Sequence, residues 1–192
     1  MIETDRFAKI EVTSAGALRA WLEQHHGQSD SVWLVTFKKH VAGRYVGREA
    51  VLDELIAFGW IDGIRRKLDA DRTMQLIGPR RHDVWALSYK QRAARLIADG
   101  RMHAAGLKAI EAAKRQGLWD AMADVDALRV PDDLQAALEA MPPAAAWFAA
   151  AAPSYRRNVL HWIKLAKKAE TRATRIARTA ELAARGEKVA QM

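Results

Sequence analysis

The 192-residue chain contains no cysteine. That absence excludes disulfides, thiolate metal ligands, iron–sulfur clusters and thiol nucleophiles, and with them any redox chemistry carried by the polypeptide. Long apolar runs are also missing. The most extended, "MPPAAAWFAAAAP" from Met141 to Pro153, is thirteen residues of mostly alanine with three prolines, too short to cross a bilayer. The first ten residues, "MIETDRFAKI", place an acid before any cation and hold no apolar stretch, so they do not read as a secretory signal. A cytoplasmic protein with no membrane partner is expected.

Several catalytic signatures are absent as well. His25, His26, His40, His82, His103 and His161 form neither an HExxH pattern nor a close grouping with acids, which argues against a zinc site. No GxSxG elbow or GxGxxG loop occurs, and "GRYVGREA" lacks the spacing, the lysine and the Ser/Thr of a phosphate-binding loop. No cofactor is expected.

What is present begins with charge. The chain carries a formal +8 at pH 7, a field that attracts polyanions at long range and also keeps a protein soluble. Between Pro153 and Lys188 ten cations (Arg156, Arg157, Lys164, Lys167, Lys168, Arg172, Arg175, Arg178, Arg185, Lys188) face three acids (Glu170, Glu181, Glu187). These cations suit either a phosphate-binding surface or ordinary solvated helix faces.

The residue pattern predicts an α+β fold, a small N-terminal sheet with helices followed by an all-helical unit. "FAKIEVT" and "SVWLVTFKKH" read as strands, separated by a helix that Ser14 caps and Gly27 stops. "REAVLDELIAFG" reads as a buried helix ending at Gly59, and residues 60–79 as a hairpin turning near Asp69 to Asp71. Helices are then expected from Asp83 to Asp99, from Met102 to Gln116, from Pro131 to Pro142, after a Ser154 cap and after a Thr171 cap. The acidic "DVDAL" near residue 124 separates an α+β domain, 1–124, from a helical domain, 125–192.

Seven tryptophans are the unusual count. Most suit core positions, but Trp60, Trp85 and Trp162 have charged neighbours in sequence: Asp62 and Arg65, Arg80 and Arg81, Arg156 and Arg157. Guanidinium groups beside indole rings can hold a planar or anionic ligand, or can simply lie over the rings for stability. The candidate ligand-binding set is Trp60, Asp62, Arg65, Arg80, Trp85, Arg156, Trp162 and Arg175. Asp62 itself, after a helix stop and before Gly63, reads as a turn residue held by an arginine, with Gly63 free to take positive φ.

"FGWIDGIRRKLD", "GPRRHDVWALSYKQRAARLIADGRMHAAGLKAIEAAKRQGLWD", "VPDDLQAALEAMPPAAAWF" and "SYRRNVLHWIKLAKKAETRATRIARTAE" together resemble the YdeI/OmpD-associated, or bacteriocin-protection, family, most firmly over residues 128–188. Two departures stand out: "GPR" where the family has "TPR", and Trp85-Ala86 where it has "WS", which removes a hydroxyl that could cap. The resemblance implies a bacterial protein linked to stress or bacteriocin tolerance and supplies no reaction, cofactor or catalytic residue. Three readings follow. The first is a non-catalytic protein that binds a small anionic or planar molecule, or a protein partner, in a Trp/Arg-lined cleft. The second is nucleic-acid binding by the basic C-terminal helices. The third is an enzyme using Asp62 and His82 as acid and base. The sequence leaves the oligomeric state open.

Overall fold

A computed structural model describes residues 6–190, and the chain divides into two compact units, Met1–Asp120 and Ala121–Met192. The architecture is α+β: a four-stranded sheet with helices in the first unit, helices alone in the second.

The N-terminal unit runs β1 (Lys9–Glu11), α1 (Ala15–His25), β2 (Val32–Phe37), α2 (Arg48–Ala57), β3 (Trp60–Lys67), β4 (Arg72–Pro79), α3 (Leu87–Ala98) and α4 (Ala104–Arg115). Strand order is β1-β2-β4-β3, with β1 parallel to β2 and the other pairs antiparallel. Ser14 caps α1 as its sequence position suggests, its Oγ accepting from the Ala17 amide at 3.0 Å. The hairpin turn is tied by the Asp69 carboxylate, which accepts from the amides of Asp71 and Arg72.

Every residue of α2 from Val51 to Ala57 is buried, including two consecutive acids, Asp53 and Glu54. A buried carboxylate must be paired. Arg92 and Arg95 of α3 bond Asp53, Arg19 of α1 bonds Glu54 at 3.0 Å, and Arg101, between α3 and α4, reaches Glu54 at 2.8 Å and Asp53 at 3.6 Å. Helix α4 comes close enough that a Cβ on Gly106 would lie 2.2 Å from the Ala57 carbonyl oxygen, so only glycine fits there.

The C-terminal unit comprises α5 (Ala123–Asp126), α6 (Asp132–Glu139), α7 (Ala144–Ala150), α8 (Pro153–Lys164) and α9 (Ala169–Ala184). Its core holds Leu134, Leu138, Phe148, Val159, Ile163 and Ile176. The Tyr155 hydroxyl accepts from the Val189 amide at 3.1 Å and fastens the chain beyond α9.

Three expected helix starts are displaced. Helix α3 begins at Leu87 rather than at Asp83, because the Asp83 carboxylate accepts from the Arg81 amide instead of capping a helix. Its N-cap is Ala86 with no side-chain bond, as the missing hydroxyl implied. Helix α8 begins at Pro153, before Ser154, and α9 at Ala169, before Thr171. Proline at the first helical position needs no amide partner, so α8 starts there without a capping side chain.

The acid pair gives a direct stability test. Glu54→Gln leaves Arg19 and Arg101 short of a charge partner in a site where Glu54 is 3% exposed. It should cost about 3 kcal/mol in urea unfolding. Arg95→Gln, at a side chain half exposed to water, should cost less than about 1 kcal/mol. Equal costs would show that burial does not govern this cluster.

Candidate functional site

The turn from α2 into β3 is made at Gly59, whose φ of 74° is one that glycine adopts without strain. Trp60 then enters the core: it is fully buried, its Nε1 donates to the His26 carbonyl at 3.2 Å, and Trp21 meets it edge-on. Trp60 is thereby a core anchor with no face toward a ligand.

Asp62 lies within β3, opposite Ile77, and not in a turn. Gly59 supplies the positive φ expected of Gly63, and β3 continues through Gly63 with a register shift between Asp62 and Arg65. The shift sets Arg65 opposite Gln75, and Gln75 joins the two charged residues. Its Nε2 donates to Asp62 Oδ2 at 3.0 Å, and its Oε1 accepts from Arg65 Nη2 at 3.0 Å. The Tyr89 hydroxyl, from the first turn of α3, donates to Asp62 Oδ1 in a short bond. Asp62 is held by an amide and a phenol, not by the arginine expected of it.

Arg80 follows β4 directly, its amide donating to the Gly59 carbonyl at 3.0 Å. Its guanidinium carbon stands 4.2 Å from the centre of the Trp85 ring and 4.8 Å from that of Tyr89. Nε, Nη1 and Nη2 are all buried, and none has a hydrogen-bond partner. Burial pulls the Arg80 pKa below its ordinary value, while Asp83, Tyr89 and Asp62 work against that pull. Trp85 is buried beneath the guanidinium and tilts against Trp119.

Four of the residues picked from sequence, Asp62, Arg65, Arg80 and Trp85, therefore belong to one contiguous network completed by Gln75 and Tyr89. Sequence reasoning passed over those two. Gln75 carried a signal: with β4 pairing β2 and β3, it shares a face with the core residue Ile77, and a buried polar side chain there requires partners. His82 is exposed and borders a hollow of about 580 Å³ with Arg81 and Asp83. Among the described residues no hydrogen bond joins it to Asp62.

The remaining three candidates lie in the C-terminal unit. Arg156 stands 5.9 Å from the Phe148 ring, with its Nε buried and unbonded. Arg175 stacks over Trp162 at 4.9 Å and donates to the Trp162 carbonyl, satisfying an acceptor in the last turn of α8. Trp162 is half-buried and borders two hollows, of about 420 and 400 Å³.

Comparison with known families separates the same two regions. Residues 10–109, just over half of the chain, match a family model described as a domain of unknown function, DUF8412. The chain belongs to this family. The DUF8412 segment contains the whole Asp62–Arg80 network. Residues 127–186 match the model described as bacteriocin-protection, YdeI or OmpD-associated, so the resemblance read from the sequence holds for the C-terminal helices. No curated protein and no solved structure matches the chain.

Burial, then the bond to Asp62, push the Tyr89 pKa up from its ordinary 10.0 to about 12. A raised folded pKa means the folded chain holds this proton more tightly than the unfolded chain does. The resulting stability is whole below the unfolded value and is lost as pH rises through the folded one. In absorbance titration at 295 nm, one of the three tyrosines should ionise near pH 12. That late step should vanish in Tyr89→Phe; its persistence would place it on another tyrosine.

Proposed function

We propose that this member of the DUF8412 family is a binding protein that captures a small oxyanion, a carboxylate or a phosphate, at Arg80. It acts by capture, in the cytoplasm, and any protective role follows from sequestration. The reading rests on one observation: a guanidinium with three buried, unbonded nitrogens clamped between two aromatic rings.

Magnitudes favour a ligand there. A cation–π contact returns about 2 kcal/mol when desolvated. A buried cation without hydrogen bonds costs several kcal/mol. The two stacked rings leave a deficit, and an oxyanion engaging the guanidinium fork would offset it. Binding requires the Tyr89 ring to move off the guanidinium, which breaks its bond to Asp62. Before a ligand enters, Tyr89 and Gln75 each bond one oxygen of Asp62, which holds that carboxylate in place.

Thermal melting with and without inorganic phosphate or acetate tests this. One of the two anions should raise the midpoint of the wild-type chain, and the Arg80→Met midpoint should not respond. Without anion, Arg80→Met should be more stable than wild type by about 1–3 kcal/mol, because an apolar side chain fills the slot without unmet donors. A destabilised Arg80→Met together with an anion-insensitive wild type would leave Arg80 a purely structural residue and refute the proposal.

A further inference from the structure

The C-terminal unit carries a second feature that is independent of Arg80. The second half of α8 and its C-cap Leu165 place Asn158, His161, Trp162 and Leu165 about one turn apart, bordering a hollow of about 420 Å³. Leu165 is 52% exposed, and Trp162, half-buried with the Arg175 guanidinium over its ring, borders this hollow as well as a second one. The second hollow beside Trp162 is bordered by Glu170, Thr171, Thr174, Arg175 and Arg178 of α9, one acid against two cations.

The cations of this unit are unevenly committed. Lys164 is paired with Asp124, and Arg172 makes a two-pronged bond to Asp133 at 2.7 and 2.8 Å. Arg175 is spent on the Trp162 carbonyl. Arg178, Lys167 and Lys168 are exposed and have no acid partner among the described residues. The run of ten cations legible in the sequence is therefore no unbroken basic face. Uncommitted charge remains on the helix that borders the indole and in the short link leading to it.

An indole that borders open space, with hydrogen-bonding groups on one side and the exposed Arg178 guanidinium on the other, suits a ligand that joins a flat ring to an anion. We propose that Trp162 is a stacking platform for a nucleoside phosphate, free or within a single strand. The base lies on the indole with Asn158 and His161 at its edge, and the phosphate meets Arg178. An acidic peptide would satisfy the cations but would make no use of the ring.

The test uses the full chain and a fluorescein-labelled oligodeoxyadenylate, with anisotropy read at about 50 and 200 mM salt. Wild type should bind, more weakly at the higher salt. Trp162→Ala should weaken binding at least about fivefold and Trp162→Phe should restore most of it, since any aromatic face can stack. Arg178→Glu, at an exposed position that leaves the core intact, should weaken binding and flatten the salt dependence. Displacement by adenosine monophosphate would assign the site to free nucleotides, and resistance to it would assign the site to strands. Absence of binding at the lower salt, or Trp162→Ala and Arg178→Glu affinities equal to wild type, would overturn the proposal. So would displacement by polyglutamate as effective as by unlabelled oligonucleotide, which would make this a surface for acidic peptides.

Discussion

The N-terminal unit is organised around two carboxylates almost wholly withdrawn from water. Helix α2 is buried along nearly its whole length, and its Asp53 and Glu54 are neutralised by arginines from α1, from α3 and from the link between α3 and α4. Replacing such a cluster with apolar residues would fill the same space, so its value lies in orientation more than in stability. Through Arg92 and Arg95 it fixes how α3 lies on α2. Tyr89, one turn before Arg92 on α3, is thereby delivered to Asp62 and to the Arg80 guanidinium. The candidate site is assembled by ion pairs that take no part in it.

The two proposed sites differ in what holds the cation. Arg80 is kept by aromatic faces alone, a setting in which burial acts against its charge. Arg175 is kept by a backbone carbonyl and lies on an indole that still borders open space. The first arrangement leaves hydrogen-bonding capacity unmet; in the second the guanidinium makes a hydrogen bond and covers part of a ring that still borders two hollows.

Much of this was legible in the sequence because local chemistry decided it. Ser14 caps α1, Gly59 ends α2, and the hairpin turns where Asp69 meets Asp71. Asp62, Arg65, Arg80 and Trp85, four of the eight candidates, lie in one network because the hairpin returns the chain to itself. The failures arose where a competing partner, near or distant in sequence, displaced the expected one. Asp83 bonds the Arg81 amide instead of starting a helix, and Asp62 takes Tyr89 and Gln75 in place of an arginine. Tyr89 was beyond reach because its placement follows from the ion pairs on α2, which no spacing rule reveals. Helices α5 and α7 are short and built on alanine and acidic residues, too weak in period to announce themselves.

The outermost position of β3 has a bearing on how copies of this protein meet. Its far side offers peptide groups to which another strand could add, and it ends in Arg65, Arg66 and Lys67, all exposed. A second copy that set these three residues against their own counterparts would bring like charges together. Repulsion of that kind opposes open-ended strand addition at the β3 end of the sheet.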